Sequence, residues 1–118
     1  MGKKEDRGGN DIKIKWFDKF SNLHRVWDSN MINYSRLSYS ELANNLPALS
    51  VKVKKQIIST PIEKWFEETH NLTKDVYNEL PKDKILGYKY YHENFDIIRL
   101  QLLKAGLRLA YTLDQIFK

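Results

Sequence analysis

Apolar and polar residues alternate near the start of the chain, and the spacing then changes to that of helices. Residues 11–17 place apolar side chains between lysines, the two-residue period of a strand with one buried face. From residue 23 to about residue 33, apolar positions recur every three or four residues behind Asn22, which favours the N-cap of a helix. The pattern predicts one short extended segment followed by a helix.

Two shorter helices are predicted in the middle of the chain. Ser38 and Glu41 have the spacing of a capping box, which opens a helix that runs through Leu46 and is closed by Pro47. Residues 50–59 fit either a strand or a helix, because their apolar positions satisfy both periods. We predict a helix there, since helices flank the segment.

The two longest apolar stripes lie in the C-terminal half. Thr60, Pro61 and Glu63 form a helix start signal with Thr60 at the cap, and the stripe that follows ends at Pro81. A second stripe runs over residues 88–117. We expect these helices to be antiparallel neighbours that form most of the core, with fewer contacts in the first forty residues. The predicted fold class is all-α, a multi-helix unit with one short extended segment near the N-terminus.

The composition is that of one folded globular unit. The 118 residues are 42% hydrophobic and 30% charged, with three Trp, seven Tyr and five Phe, a balance that excludes a disordered chain. Cysteine is absent, which excludes disulfides and thiolate metal sites. Any zinc site must therefore use nitrogen and oxygen donors.

The net charge of +5 is compatible with a polyanionic partner such as nucleic acid. Acidic residues are interleaved with the basic ones in the first quarter, so a plain solvated surface is the favoured explanation of the charge pattern taken alone. Residues 1–6 contain no apolar core of the kind that a secretory signal needs, and no apolar stretch reaches transmembrane length. We expect a soluble chain with no membrane partner.

His24 and Asp28 are the candidate metal ligands. Four residues apart on the predicted helix, they share a face beside its apolar stripe, so we expect both to project into one concave space and not into the core. An imidazole and a carboxylate so placed can share a metal ion, and the alternative interpretation is a hydrogen bond on a helix surface. His70 and His92 lie on polar parts of their helices and are predicted to be surface residues.

The tryptophans and the glycine pair each allow two interpretations. Trp16, Trp27 and Trp65 could stack on bases, but the positions of Trp27 and Trp65 within helix stripes favour core packing. Gly8 and Gly9 are similar to a phosphate-binding loop only superficially, because no helix N-terminus follows them. A tight turn is the better prediction.

The order of these motifs resembles a known family. The chain carries GGNDIKI at residues 8–14, NLHRVWDS at residues 22–29 and AGLRLA at residues 105–110. This succession resembles the closing part of the zinc-dependent single-strand-specific nucleases of the S-one/P-one type. One departure is Thr69, where the family more often has serine. The resemblance covers residues 5–117 and implies that residues 1–118 are a single partial domain, the C-terminal portion of a larger helical zinc-nuclease domain.

The resemblance also implies an activity. Such nucleases hold three zinc ions at the bottom of a cleft, hydrolyse phosphodiester bonds of single-stranded DNA and RNA to 5′-phosphates, and in some relatives remove 3′-phosphates. His24 and Asp28 match a ligand pair of one ion. The other ligands lie mostly before the glycine pair in the family, so we expect this fragment to be inactive alone. Its implied partners are the missing N-terminal half of the domain and single-stranded nucleic acid, and complete members are expected to be secreted or periplasmic.

Two other classes of function are compatible with the sequence. A helical nucleic-acid-binding module without chemistry would bind nucleic acid in a salt-dependent manner as the isolated chain. A helical interaction protein would form a stable complex without cleavage. The nuclease hypothesis requires metal-dependent cleavage once the missing half is supplied.

Overall fold

The computed structural model describes residues 8–118. In chain order the elements are strands β1 (Lys13–Trp16) and β2 (Lys19–Asn22), helix α1 (Leu23–Arg25), a π-helical turn (Val26–Asn30), helices α2 (Met31–Ser35), α3 (Tyr39–Asn44), α4 (Val51–Ser59) and α5 (Ile62–Asn78), strand β3 (Ile85–Leu86) and helix α6 (Tyr88–Ile116). Helices dominate these residues and the strands are short, so the predicted fold class is confirmed.

The strands form one small sheet in the order β2-β1-β3. β1 pairs antiparallel with β2 and parallel with β3. Phe17 and Asp18 connect β1 to β2 with φ angles of 48° and 66°, and positive φ at both positions is what a tight two-residue hairpin turn requires. The predicted extended segment is correct as β1. β2 and β3 were not predicted, because β2 contains a single apolar residue, Phe20, and so shows no alternation, and β3 lies in a segment predicted to be a turn.

The core lies between the first elements and the first half of α6. Its buried apolar side chains are Ile14, Trp16, Leu23, Val26, Met31, Leu86, Tyr90, Phe95 and Ile98. Five of these nine belong to residues 14–31, whereas α5 has no fully buried residue. The prediction that α5 and α6 form most of the core, with few contacts in the first forty residues, is therefore wrong. An apolar stripe indicates that one face of a helix packs against another part of the protein, and it does not specify which element that is.

Side chains link α5 and α6, although the closer contact of α6 with another long helix is with α4 and not with α5 as their short connection predicted. Arg108 of α6, only 9% exposed, donates from Nη2 to both carboxylate oxygens of Glu68 on α5, at 3.1 and 3.2 Å. Its Nε donates to the carbonyl of Ile57 on α4 at 3.2 Å, and its guanidinium lies 5.0 Å from the ring centroid of Trp65. One buried arginine thus joins three helices.

Helix starts were predicted well where capping side chains mark them. The Ser38 hydroxyl accepts from the backbone N–H of Glu41 at 3.2 Å, and the Glu41 carboxylate accepts from the N–H of Ser38 at 2.9 Å. These two hydrogen bonds lower the pKa of Glu41. The ambiguous segment 50–59 is helical, and its Ser50 hydroxyl accepts from the N–H of Val53 at 3.2 Å. Both predicted helices are present, although α3 ends at Asn44, two residues before the predicted end at Leu46.

The start of α5 differs by one position from the prediction. Pro61 is the N-cap of α5, not its first helical residue. The Thr60 hydroxyl, predicted to cap α5, instead donates to the carbonyl of Gln56 in the last turn of α4 at 2.7 Å. Thr60 therefore closes the preceding helix.

Candidate functional site

The helix that carries His24 begins where β2 ends. Asn22 has an extended backbone (φ −143°, ψ 164°), and its side-chain oxygen accepts from the N–H of Arg25 at 2.8 Å. This cap supplies an acceptor for one of the N–H groups that the first helical turn leaves without a partner. The chain therefore passes directly from the sheet into a helix, with His24 in the first turn.

A π-helical turn follows and sets which side chains point inward. The N–H of Met31 bonds to the carbonyl of Val26, five residues earlier, so these two residues lie one above the other. Both are fully buried in the core. His24 and Asp28 are exposed on the outer side of the same segment. The sequence predicted a regular helix here, because the step from Trp27 to Met31 also fits the ordinary helical spacing.

His24 is oriented by the glycine pair. Its backbone N–H donates to the carbonyl of Gly9 at 3.2 Å, and its ring Nδ1 lies 3.2 Å from the carbonyl oxygen of Gly8. A carbonyl oxygen only accepts, so Nδ1 carries the proton and the lone pair of the neutral ring is on Nε2. This is the arrangement of many histidines that bind metal through Nε2.

Gly8 and Gly9 form the tight turn that the sequence predicted. Their φ angles are 69° and 96°, in the region that side chains other than glycine avoid. A Cβ atom built on Gly9 would lie 2.9 Å from the backbone nitrogen of His24. The close approach of the turn to His24 therefore depends on Gly9.

His24 and Asp28 both line a cavity of about 560 Å³. Gly8, Leu23, Trp27 and Ile32 complete its wall on the N-terminal side, and the opposite wall consists of Leu72, Thr73, Val76 and Tyr77 of α5 with Ile97, Ile98, Gln101 and Leu102 of α6. The two residues thus face one concave space, as their spacing predicted. Their role as metal ligands stays a prediction.

Trp27 connects the cavity to the core. Its Nε1 donates to the hydroxyl of Tyr90 at 3.0 Å, and the two rings meet edge to face at a centroid distance of 6.1 Å. Burial raises the pKa of Tyr90 to about 12. Trp16 is buried and Trp65 packs on Arg108, so the prediction of packing roles for the tryptophans agrees with their contacts.

The donors of this chain fit part of a zinc site. Zinc sites in proteins usually have three or four protein ligands. His24 and Asp28 offer one nitrogen and one oxygen donor, and residues 8–118 contain no group of three or more His, Asp or Glu side chains placed to hold a metal ion. His70 and His92 are exposed, as predicted, and neither lines the cavity.

Sequence reasoning missed the far wall of the cavity and the bond between Trp27 and Tyr90. The wall is formed by the stripes of α5 and α6, which had been assigned to each other as core. A tyrosine 63 residues away from Trp27 carries no local signal of the contact. Within the described part of the chain, no helix combines the length and the apolar character needed to cross a membrane.

Comparison with known proteins identifies the family of this chain. The family model described as S1/P1 Nuclease matches residues 1–118. Endonuclease 3 and Endonuclease 5 of Arabidopsis thaliana are each 30% identical over 95% of this chain, and Endonuclease 2 of the same plant is 27% identical over 95%. The chain covers 44%, 43% and 44% of these three relatives, less than half of their length. The chain belongs to the S1/P1 nuclease family.

Proposed function

We propose that this chain supplies His24 and Asp28 to one metal position of a zinc-dependent nuclease, which hydrolyses phosphodiester bonds of single-stranded DNA and RNA to 5′-phosphates. The observation that carries the proposal is that both donors line one cavity, with the His24 ring held through Nδ1 by the Gly8 carbonyl. When bound, zinc supplies Lewis-acid chemistry that lowers the pKa of a coordinated water and offsets charge on the phosphate.

The chain's own residues prepare this position in three ways. The Gly8 carbonyl holds the proton on Nδ1 of His24, so that Nε2 is available as a donor. Asp28 contributes a carboxylate whose negative charge favours a cation. The π-helical turn anchors the segment in the core through Val26 and Met31, which keeps the two donors at a defined separation.

We propose further that residues 1–118 are the C-terminal portion of the family's domain and that the rest of the domain supplies the other ligands. The chain covers less than half of the length of its relatives, and two protein donors hold zinc weakly. The cavity supports this proposal, because it is open and its walls are largely apolar, as is expected of a surface that another part of the domain covers. The α6 stripe continues from Leu102 to Leu109 and Leu113, which are 60% and 43% exposed, and a stripe of that kind is expected to be covered in a complete domain.

The proposal is tested by reconstitution. The 118-residue chain with added zinc should not cleave single-stranded DNA or RNA. Mixed with, or fused to, the N-terminal part of a relative's domain, it should gain cleavage that a chelator abolishes. His24→Ala or Asp28→Asn should reduce this cleavage about a hundredfold, because each substitution removes one of the three or four ligands that a zinc ion needs.

His92→Ala is the matched control, since His92 is an exposed histidine that does not line the cavity. It should leave the reconstituted activity unchanged. Chelator-sensitive cleavage by the 118-residue chain alone would contradict the fragment proposal. Reconstituted cleavage that survives both His24→Ala and Asp28→Asn would remove these residues from the mechanism.

A further inference from the structure

The face of the sheet that points away from the core has an unusual composition. β1 buries Ile14 and Trp16, so Lys13 and Lys15 point to the opposite side. The strand register pairs Lys15 with Phe20 of β2 and with Ile85 of β3, which places both on that same side. We refer to Lys13, Lys15, Phe20 and Ile85 as the outer sheet face.

This face exposes an aromatic ring among cations. Phe20 is 86% exposed and Ile85 is 55% exposed. The Nζ of Lys15 lies 5.5 Å from the centroid of the Phe20 ring, within the range of a cation–π contact. The hairpin of residues 13–22 has three lysines and one aspartate, so its net charge is +2. Asp83, two residues before β3, accepts from the backbone N–H of Ile85 at 3.0 Å.

We propose that the outer sheet face binds a single strand of nucleic acid, with a base stacked on Phe20 and the flanking phosphates paired with Lys13 and Lys15. Proteins that bind single strands combine such rings with a positively charged track. A protein partner would have to desolvate the lysines to reach Phe20, whereas a polyanion neutralises them. The inference rests on the proposed nuclease function and deepens it by assigning the substrate a docking surface on this chain.

The position of this face suits a substrate of the candidate metal site. β2 leads directly into α1, and Phe20 precedes His24 by only four residues. Four residues of chain span at most about 14 Å. The backbone at Phe20 is therefore within that distance of the backbone at His24, which lines the cavity.

The test is a binding measurement on the 118-residue chain, with a chelator present so that no cleavage interferes. Fluorescence anisotropy of a labelled oligothymidylate of about twelve nucleotides is followed over a series of salt concentrations. Phe20→Ala should weaken binding about tenfold, since one base–aromatic stack has roughly this value. Phe20→Tyr should bind as the unchanged chain does. Lys15→Gln should reduce the slope of log K against log salt by about 0.7.

Phe117→Ala and Lys52→Gln are the matched controls. Phe117 is 81% exposed at the end of α6, and Lys52 is exposed on α4, so both retain the surface character of the test residues at distant positions. Neither substitution should change binding. All of these side chains are exposed, and circular dichroism checks that each variant keeps the fold.

Three results would overturn the inference. The first is no binding of the oligonucleotide at low salt, and self-association through Phe20 in sedimentation would then assign this face to a second copy of the chain. The second is binding that Phe20→Ala leaves unchanged. The third is binding that is equally strong on a duplex. Binding through Phe20 without cleavage after reconstitution would overturn only the proposed nuclease function, because the binding assay requires no metal.

Discussion

At the scale of single residues, the two adjacent glycines differ in what an added methyl group would meet. A Cβ on Gly9 would lie 2.9 Å from the backbone nitrogen of His24, whereas a Cβ on Gly8 would have no atom closer than 3.9 Å. Both residues have positive φ. Gly8→Ala should therefore lose about 1 kcal/mol of unfolding free energy from backbone strain alone, and Gly9→Ala about 3 kcal/mol from strain and the clash.

Urea unfolding of the two variants measures these losses, and Gly8→Ala is the matched control for Gly9→Ala. In the reconstituted nuclease, Gly9→Ala should also raise the zinc concentration needed for half-maximal cleavage, since His24 must move to relieve the clash. Equal losses of stability in the two variants would contradict the argument from close approach.

Part of the site was predictable at this scale. The four-residue spacing of His24 and Asp28 correctly placed both on one concave surface, because a helical turn relates such positions directly. The bond from His24 to the Gly8 carbonyl was not predictable. It depends on backbone angles that only the glycines adopt, and a sequence reports that such angles are accessible without reporting where the carbonyl then points.

At the scale of elements, two adjacent glutamates on α5 allow a partly buried ion pair to be compared with an exposed one. Glu68 accepts two hydrogen bonds from the buried guanidinium of Arg108 and lies 3.6 Å from the Nζ of Lys104. Glu67 instead pairs with Lys64 at the surface, where the two side chains are 59% and 61% exposed. Glu68→Gln should cost about 1 to 2 kcal/mol of unfolding free energy. This value is below that of a fully buried pair, because the Glu68 carboxylate is partly hydrated.

Glu67→Gln is the control and should cost about 0.5 kcal/mol or less, as exposed pairs contribute little. Urea denaturation with an unchanged m-value measures both losses. If Glu67→Gln destabilises as much as Glu68→Gln, burial of Arg108 does not determine the strength of its pairing.

The helices themselves were largely predictable, since caps and stripes act over a few residues. Ser38 marked its helix correctly because a capping hydroxyl bonds to its own first turn. Ser50 caps α4 in the same way, but the prediction of that helix rested on its helical neighbours and not on this cap. Thr60 was misassigned by one element, because a hydroxyl between two helices can bond to either. The π-helical turn was missed because its inward residues also fit a regular helix.

At the scale of the whole molecule, the position of the core predicts where the fold is most resistant to opening. Native-state hydrogen exchange should be slowest in β1, in residues 23–34 and in the first half of α6, which together hold most of the buried side chains. It should be faster in α5, which has no fully buried residue, and in the exposed last turns of α6. Slowest exchange in α5 would contradict this distribution.

The sequence could not locate this core. The longest apolar stripes are those of α5 and α6, and stripe length alone predicts that these two helices pack against each other. Their facing sides instead border the cavity beside His24, while the shorter segments around Ile14 and Val26 make the tighter packing. The deciding contacts join residues distant in sequence, and periodicity carries no information about them.

The parallel pairing of β1 with β3 has a consequence for the order of events when the chain folds. Lys15 pairs with Ile85, seventy residues later, and the intervening segment contains five of the six helices. The helices can form from local contacts in microseconds, but β1 has no partner on its β3 edge until that long loop closes. During synthesis at the ribosome, this edge stays open until residue 86 has emerged, which is the interval in which the chain is most exposed to wrong pairing with another chain.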